Sequence, residues 1–299
     1  MPNTPRRIFR FPLLILSVLI STYLVIIIAL AWHYSYSLTH PECKSAKRIE
    51  NIPEPQKIFL TSQDGTEIPT WYYPTQNGAA IVVMGGVEGA LGDNPPPVVF
   101  LIQEGYGVLQ IGSRACANPR RAVTLGWNET KDALAGVEFL QTRPDIERIG
   151  VFGFSMGGAA VLQAAAQNVI IQAVVAEGNY YNLGDDILET SSNESWMHKF
   201  LLYMIAGCFW IQTNTNPWLS SPIDALPKIS PRAVFLIFGE HEAGSGHASD
   251  QFAATMQPKQ LWIVPGGDHG TNHRVATQAY EQQISEFFKH YLGKENTSR

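Results

Sequence analysis

The sequence predicts an α/β fold with a mostly parallel central sheet flanked by helices, preceded by one apolar N-terminal helix. Short apolar runs alternate with helical segments from residue 57 onward, as in proteins whose parallel strands are joined by helices. The composition agrees with a folded domain, since 45% of the 299 residues are hydrophobic and 16% are charged, which excludes an intrinsically disordered chain. An uncharged apolar stretch over residues 11–32 predicts the N-terminal helix.

The apolar stretch over residues 11–32 is long enough to cross a membrane. About 20 apolar residues at ~1.5 Å per residue span a hydrocarbon core of ~30 Å. The basic residues Arg6, Arg7 and Arg10 precede the stretch, and cytoplasmic flanks carry an excess of positive charge. We therefore predict a cytoplasmic stub over residues 1–10, a single-pass signal anchor, and a body on the non-cytoplasmic side.

A cleaved signal peptide is the alternative interpretation of the same segment. Residues 29–31, Ala-Leu-Ala, form a small-x-small cleavage candidate, and cleavage would release a secreted protein. The anchor is favoured because the apolar region of a signal peptide has about 7 to 15 residues, fewer than are present here.

The charge of the body argues against a nucleic-acid partner. Residues after Trp32 carry 18 basic and 26 acidic side chains, a net charge of −8, without a Lys/Arg-rich block. The three cysteines, Cys43, Cys116 and Cys208, match no metal-binding pattern, and in an oxidising compartment one pair of them could form a disulfide. The sequence leaves the pairing and the oligomeric state open.

The body divides into a linker over residues 33–56, a folded domain over residues 57–293 and a tail over residues 294–299. An Asp64-Gly65 turn between two short strands predicts a hairpin at the start of the domain. The elements that follow are predicted in this order: strand AAIVVM, helix VVFLIQEG, strand YGVLQIG, helix ETKDALAGVEFLQTR, strand RIGVFGF, helix MGGAAVLQAAAQ, strand IIQAVVAEG, strand AVFLIFGE, helix SDQFAATM, strand QLWIVPGG and a last helix from about Thr271 to Leu292.

One segment, residues 179–222, interrupts this alternation of strands and helices. It contains WMHKFLLYMIAGCFWI, whose longest apolar run, Phe200 to Ile211, is too short to span a bilayer. Two interpretations stay open. The segment is either a buried helix over the edge of the sheet or a lid or pocket wall, since long insertions are often functional.

The sharpest chemical motif is Gly-x-Ser-x-Gly over residues 153–157. An apolar strand leads into it and an Ala-rich helix follows it, which is the context of a nucleophile elbow. The glycines make room for a tight turn that holds Ser155 in a strained, exposed conformation. The backbone N–H of Met156 then stands at a helix N-terminus, where the helix dipole favours a developing oxyanion.

A serine nucleophile needs a base, and the base needs an acid that orients it. After a nucleophile elbow the chain order is serine, acid, histidine. His269 follows a strand and a Gly-Gly turn near the C-terminus, so a loop can bring its ring to the elbow. Glu242 is the predicted acid because it lies in the loop after strand AVFLIF, with Glu240 and Asp250 as the alternatives.

A second oxyanion donor is expected from the loop after strand AAIVVM, which covers residues 85–89. The backbone N–H of Gly86 is the predicted donor, and that of Val87 is the alternative. A Gly-rich turn without a catalytic part is the competing interpretation, since glycine is common in turns.

Taken together, these residues resemble the α/β-hydrolase superfamily, and within it the serine aminopeptidase-like and dienelactone-hydrolase-like small serine hydrolases, many of which carry an N-terminal membrane segment. The resemblance covers residues 58–292 and rests on four segments: TSQDGTEIPTWYYP, RPDIERIGVFGFSMGG, SPIDALPKISPRAVFLIFGEHE and LWIVPGGDHG. It implies an α/β-hydrolase fold with Ser155 as nucleophile, Glu242 at the usual aspartate position, His269 as base and Met156 as an oxyanion donor.

The chain departs from the family pattern at three places. Met84-Gly85 stands where His-Gly is common, Glu242 replaces aspartate, and the loop SRACANPRR replaces an Arg-Gly-rich turn. The departures affect the oxyanion loop, the acid and the pocket, so the sequence leaves the geometry of these three parts open.

These expectations combine into a membrane-anchored serine hydrolase that cleaves carboxylic esters, thioesters or amides and needs no metal or organic cofactor. The aromatic segment from Trp196 to Trp210 favours a small-molecule or lipid-like acyl substrate. Two alternatives stay open: a peptidase or acyltransferase with the same triad, and a catalytically silent hydrolase-fold module that binds a partner.

Overall fold

The computed structural model describes residues 10–43, 52–87, 97–189 and 195–293. Within these residues, one eight-stranded sheet forms the centre of the body. Its strands are β1 (Gln56–Thr61), β2 (Glu67–Tyr73), β3 (Ala79–Met84), β4 (Gly107–Ile111), β5 (Arg148–Phe154), β6 (Ile171–Glu177), β7 (Ala233–Gly239) and β8 (Lys259–Val264). The predicted tail, residues 294–299, and residues 1–9 of the predicted stub lie outside the described part.

The strands lie in the order β1-β2-β4-β3-β5-β6-β7-β8. β2 pairs antiparallel with β1 and β4, and the remaining pairs are parallel. This arrangement confirms the mostly parallel sheet that the alternation of strands and helices predicts. Because parallel strands end at the same edge of a sheet, the loops after β5, β7 and β8 meet there, where open α/β sheets bind their ligands.

The described residues form ten α-helices, which cover both faces of the sheet. They are α1 (Arg10–Thr39), α2 (Pro97–Gln103), α3 (Trp127–Gln141), α4 (Met156–Gln167), α5 (Leu183–Leu188), α6 (Trp196–Thr213), α7 (Pro222–Ile229), α8 (Ala248–Ala254), α9 (Asn272–Val275) and α10 (Thr277–Leu292). Side chains of α3, α4, α7 and α8 form the core on one face, and side chains of α2 and α10 form the core on the other. The sheet is therefore held between two apolar layers.

The C-terminal helix is not continuous, although the pattern predicts one helix from about Thr271 to Leu292. The chain leaves helical geometry at Ala276, whose φ is −134° and ψ is 43°, so that a short α9 precedes α10. The break separates α9, whose Asn272 is fully buried beside the loops after β7 and β8, from the amphipathic α10. The tertiary contacts of Asn272 account for the break at Ala276, and the helical periodicity of the sequence does not predict such contacts.

The N-terminal helix also differs from its predicted length, because α1 continues seven residues beyond Trp32 to Thr39. Residues 33–39 of the predicted linker are therefore helical. Ser35 and Thr39 are fully buried there, and their hydroxyls lie 2.8 and 3.4 Å from Oε1 of Gln212 in α6. Packing on the body thus extends the helix past its apolar stretch. The most apolar 18 residues of α1 have a mean hydropathy of 2.9, so the helix is apolar enough to span a membrane or to serve as a signal sequence.

A disulfide ties the segment after α1 to the body. Cys43 is bonded to Cys116 in the loop after β4, while Cys208 is a buried free thiol. The sequence leaves this pairing open, because the two residues are 73 positions apart. Together with the contact between α1 and α6, the bond fixes the N-terminal helix against the domain.

Candidate active site

The Gly-x-Ser-x-Gly motif forms a sharp turn between β5 and α4. Ser155 has a φ of 54° and a ψ of −119°, so its backbone is strained, as the motif predicts. A Cβ at Gly153 would lie 2.1 Å from the carbonyl oxygen of Gly157, and a Cβ at Gly157 would lie 2.5 Å from that of Met84. Both motif glycines are therefore required by backbone contacts.

Ser155, His269 and Glu242 form one continuous chain of hydrogen bonds. Nε2 of His269 lies 3.1 Å from Oγ of Ser155, and Nδ1 lies 2.7 Å from Oε2 of Glu242. An ionised carboxylate can only accept hydrogen bonds, so the proton of the neutral imidazole belongs on Nδ1 and leaves Nε2 free to accept from the serine hydroxyl. This is the geometry that nucleophile activation by a general base requires.

Glu242 is held in place from several sides. The residue is only 8% exposed, and its Oε1 accepts hydrogen bonds from the backbone N–H of Gly239 at 2.9 Å and from Nδ2 of Asn272 at 3.4 Å. The hydrogen bond to Glu242, reinforced by its negative charge, raises the pKa of His269 above its ordinary value against the opposing effect of burial. The imidazolium that forms when His269 takes a proton is therefore stabilised.

The alternative acids are engaged elsewhere. Oε2 of Glu240 accepts a hydrogen bond from the backbone N–H of Gly266 at 2.7 Å. Oδ2 of Asp250 lies 3.3 Å from Nδ1 of His247 in its own segment. Of the three carboxylates that the sequence proposes, Glu242 is thus the one that meets the His269 ring.

The predicted oxyanion donors lie beside the nucleophile. Met156 is the first residue of α4, where backbone N–H groups have no acceptor within the helix. Gly86 is close to the elbow, since a Cβ there would lie 3.4 Å from Cβ of Ser155. Val87 packs against the apolar cluster that contains Met156. The remainder of the predicted oxyanion loop, Glu88 and Gly89, falls outside the described residues.

A second buried carboxylate lies behind the triad, and the sequence analysis missed it. Glu177 at the end of β6 accepts hydrogen bonds from the hydroxyl of Tyr280 at 2.6 Å and from Nδ2 of Asn272 at 3.0 Å. Burial raises the pKa of Glu177 above its ordinary value. Since Asn272 also donates to Glu242, its side-chain amide links the two carboxylates. An acid at the carboxyl end of a central strand is the one signal that could have identified Glu177.

A cavity of about 660 Å³ opens onto the three triad residues. Tyr180 and Asp186 also line it, and burial raises the pKa of Asp186 to about 6. Beside this cavity, Met156 belongs to an apolar cluster that also includes Ala115, Val123, Leu125, Leu183 and Phe209, with Tyr180 packed against it. The cavity itself is thus lined mostly by polar side chains, and the apolar cluster lies next to it with Tyr180 in contact with both.

The unusual loop after β4 is anchored by a buried arginine. Nε and Nη2 of Arg114 donate to the two carboxylate oxygens of Asp132 in α3 at 2.7 and 2.5 Å, and Nη1 donates to Asp64 at 2.5 Å. The same loop carries Cys116 and contributes Ala115 to the apolar cluster. These contacts give the loop a structural role in holding the apolar cluster next to Met156.

The insertion supplies another part of the pocket wall. Its helix α6 packs chiefly on α1 and α5, and its Phe209 is almost fully buried in the cluster around Met156. The cavity at Ser155 is lined by Asn179, Tyr180, Asp186 and Glu189 of the same insertion, which agrees with the pocket-wall interpretation of residues 179–222, while α6 packs outside that cavity. Residues 190–194 of the insertion are outside the described part.

The sheet order, the elbow and the chain order of serine, acid and histidine define an α/β hydrolase. Residues 120–295, more than half of the chain, match the prolyl oligopeptidase family of serine peptidases, designated Peptidase_S9. The chain belongs to this family, and the predicted α/β-hydrolase fold is confirmed.

Individual relatives agree with this assignment. The YfhR protein of Escherichia coli strain K12 is 23% identical over 82% of this chain and 85% of its own length. The Pyrococcus furiosus esterase Pf2001 superposes with a TM-score of 0.66 at 20% identity, covering 85% of this chain and 98% of the esterase. An acylaminoacyl peptidase of Pyrococcus horikoshii superposes with a TM-score of 0.62 at 19% identity, covering 84% of this chain and 44% of the peptidase. At these identities the structural neighbours establish the fold.

Proposed function

We propose that this protein is a membrane-anchored serine hydrolase that cleaves carboxylic esters. The observation that carries the proposal is the hydrogen-bond chain from Oγ of Ser155 through the ring of His269 to Glu242. Each member has the neighbour its role needs, because the serine meets a base and the base meets a buried, hydrogen-bonded acid.

The residues support an acyl-enzyme mechanism. Oγ of Ser155 attacks the acyl carbonyl while Nε2 of His269 takes the hydroxyl proton, and Glu242 stays ionised and stabilises the imidazolium. The N–H groups of Met156 and Gly86 stabilise the tetrahedral oxyanion. The proton then passes from His269 to the departing alcohol. Water, deprotonated by the same ring, attacks the acyl-serine and releases the carboxylic acid.

An acyl ester is the proposed substrate. The side chains that line the cavity are mostly polar, among them Asp186 and Ser245, while the buried apolar cluster around Met156 and Phe209 packs next to the elbow. The structural likeness to an esterase supports ester hydrolysis. Membership of a peptidase family and the likeness to an acylaminoacyl peptidase favour amide hydrolysis as the second candidate.

The membrane anchor and its orientation rest on α1 and the disulfide. Residues 12–26 of α1 are exposed, apart from the partly buried Tyr23, so that part of the helix is available to a bilayer. The bond between Cys43 and Cys116 is typical of an oxidising compartment, which supports a body on the non-cytoplasmic side. Protease protection in membrane vesicles tests this orientation, and digestion of the body from the cytoplasmic side would contradict it.

Labelling with a fluorophosphonate probe tests the nucleophile. We expect labelling of the wild type and of Ser245→Ala, because Ser245 lines the same cavity without contacting His269. We expect none in Ser155→Ala and strongly reduced labelling in His269→Ala. A folded Ser155→Ala variant that is labelled like the wild type would remove the proposal and favour the silent-module alternative. Comparison of an acyl ester with the anilide of the same acyl group separates esterase from peptidase activity.

A further inference from the structure

The buried face of α1 shows how the N-terminal helix meets the body. Ile27, Ala31, Ser35 and Thr39 are all buried, and their spacing of four places them on one face of the helix. This face packs along α6, the most extensive helix–helix contact among the described residues. The contact begins inside the apolar stretch of α1 and continues to its last residue.

The two helices run in the same direction. Ala31 clusters with Ile205 and Cys208 of α6. Further along both helices, Nε2 of Gln212 donates to the carbonyl of Trp32 at 3.1 Å, and the hydroxyl of Ser35 donates to Oε1 of Gln212 at 2.8 Å. The first residues of α6 therefore extend back along α1, toward the middle of its apolar stretch.

The length of α1 places α6 at the depth of a bilayer leaflet. Its 30 residues extend about 45 Å, which matches a bilayer with its headgroups. If the N-terminal end of α1 starts at the far surface, Ile27 to Thr39 lie in the half nearest the body. Since α6 accompanies these residues and extends back toward the middle of the apolar stretch, it lies in that leaflet with Gln212 near the headgroups and Trp196 toward the bilayer centre.

The outer face of α6 is a continuous aromatic row. Trp196, Tyr203 and Trp210 follow one another at intervals of seven residues and are 72%, 60% and 50% exposed. The space beside Gly207 on the same face is open, since a Cβ there would have no neighbour within 4 Å. In the part of the chain that the structure describes, an exposed row of this kind marks an interaction surface.

Aromatic side chains also lie on α1 near the C-terminal end of α6. Trp32, Tyr34 and Tyr36 are all about half exposed, and Trp32 lies beside Gln212 at the end of α6. Tryptophan and tyrosine concentrate where a membrane meets water, because their rings are apolar and their N–H and O–H groups reach the headgroups. This end of the two helices is therefore placed at the headgroups.

The other face of α6 contacts the apolar cluster next to the nucleophile. Phe209 is 1% exposed and packs in this cluster with Met156 and Leu183. The helix therefore lies between the proposed membrane surface on one side and the cluster that adjoins Ser155 on the other.

We propose that α6 is inserted in the membrane beside α1, with the side chains of Trp196, Tyr203 and Trp210 in the lipid leaflet next to the body, so that the candidate active site is held close to lipid-borne acyl substrates. The inference rests on the proposed membrane anchoring, and the occupant of this face is lipid. It extends the membrane contact from one spanning helix to a docked domain, with α6 and α1 acting as one unit.

Lipid-borne quenchers test the depth of α6 directly. Three variants each carry one new cysteine, at Tyr203 on α6, at Leu24 on α1 or at Gln141 at the exposed end of α3. All three are made in the full chain with Cys208→Ala, which removes the free thiol. Each cysteine carries an NBD fluorophore, and the protein is reconstituted in phosphatidylcholine vesicles with and without doxyl-labelled lipid. We expect strong quenching at Leu24→Cys and Tyr203→Cys, and none at Gln141→Cys.

The outcomes separate this inference from the anchor. Quenching at Leu24→Cys without quenching at Tyr203→Cys would overturn the docking of α6 and leave the anchor in place. Absence of quenching at Leu24→Cys would contradict the anchor itself. Blue-shifted but unquenched emission at Tyr203→Cys would show that protein, such as a second copy of the chain, covers the face, and this would also overturn the proposal.

Activity provides a second measurement. The combined variant Trp196→Ser, Tyr203→Ser and Trp210→Ser loses the apolar row but keeps the triad. We expect its rate on a long-chain ester dissolved in vesicles to fall roughly tenfold or more, because membrane affinity scales with the buried apolar area. Hydrolysis of soluble p-nitrophenyl acetate does not depend on membrane affinity, so its rate should stay within about twofold of the wild type. An unchanged rate on the vesicle substrate would contradict the proposal.

Discussion

Two buried glutamates, Glu242 and Glu177, lie side by side under the nucleophile and differ in their partners. Glu242 reaches the edge of the cavity and faces His269, whose ring can become positively charged. Glu177 faces only neutral donors, Tyr280 and Asn272, and burial raises its pKa. The comparison shows that a titratable partner, and not burial by itself, distinguishes the proposed catalytic acid from a structural one.

The largest expected effect comes from removing the charge of each glutamate in turn. Glu242→Gln keeps the shape but cannot hold the proton of His269 on Nδ1, so kcat for an ester should fall by about 10⁴-fold, as when a triad aspartate is replaced by asparagine. Glu177→Gln keeps hydrogen bonds with neutral partners, and its kcat should fall by less than about tenfold. Steady-state kinetics on the same ester measure both. Equal losses would show that Glu177 shares the role of the acid.

The pH dependence of kcat/KM also distinguishes Glu242 from Glu177. His269 must be neutral to act as a base, so kcat/KM rises with pH through its pKa, which Glu242 raises above 6.5. Removal of the Glu242 charge lowers this pKa, and the acidic limb of the residual activity of Glu242→Gln should move to lower pH. The limb of Glu177→Gln should move in the same direction by a smaller amount, because Glu177 does not contact the ring. A limb that stays in place in Glu242→Gln would reject Glu242 as the main perturbing charge.

A stability measurement tests the structural role of Glu177. Tyr280→Phe removes the hydroxyl that donates to Glu177 and leaves a buried carboxyl oxygen without that donor. The free energy of unfolding should fall by about 1–3 kcal/mol, measured by urea denaturation of the full chain in detergent. The matched control is Tyr291→Phe on the same helix, whose ring is only partly buried. A kcat loss in Tyr280→Phe as large as that of Glu242→Gln would break the distinction between the two carboxylates.

The smallest effects are expected at the alternative acids. Glu240→Gln and Asp250→Asn should leave kcat within about twofold of the wild type, because single surface substitutions seldom matter when no catalytic partner is lost. Both variants are assayed alongside Glu242→Gln. A severe loss in Glu240→Gln would move the role of the acid to that residue.

Local sequence carries much of the candidate site. The motif over residues 153–157 predicts the strained turn at Ser155 because its strand, glycines and helix are adjacent in the chain. The chain order of the triad brings Glu242 and His269 into consideration, since both follow strands whose carboxyl ends share one edge of the sheet. The structure then places these two side chains in contact with each other, while Glu240 bonds to Gly266.

The network behind the triad could not be predicted in this way. Glu177 lies in a strand that is 95 and 103 residues away from its partners Asn272 and Tyr280, and no sequence period or motif connects them. The same holds for the disulfide between Cys43 and Cys116 and for the break at Ala276. Each depends on contacts between distant segments.

The sequence by itself determined the alternation of strands and helices, the elbow and the apolar N-terminal helix, because these follow from neighbouring residues and their periodicity. Only the tertiary structure decided which carboxylate meets His269 and how far α1 extends. It also decided that α6 lies between α1 and the apolar cluster that adjoins Ser155. These features depend on side chains such as Gln212 and Asn272, whose partners Ser35, Glu177 and Glu242 are 30 or more residues away and therefore become visible only when the chain is folded.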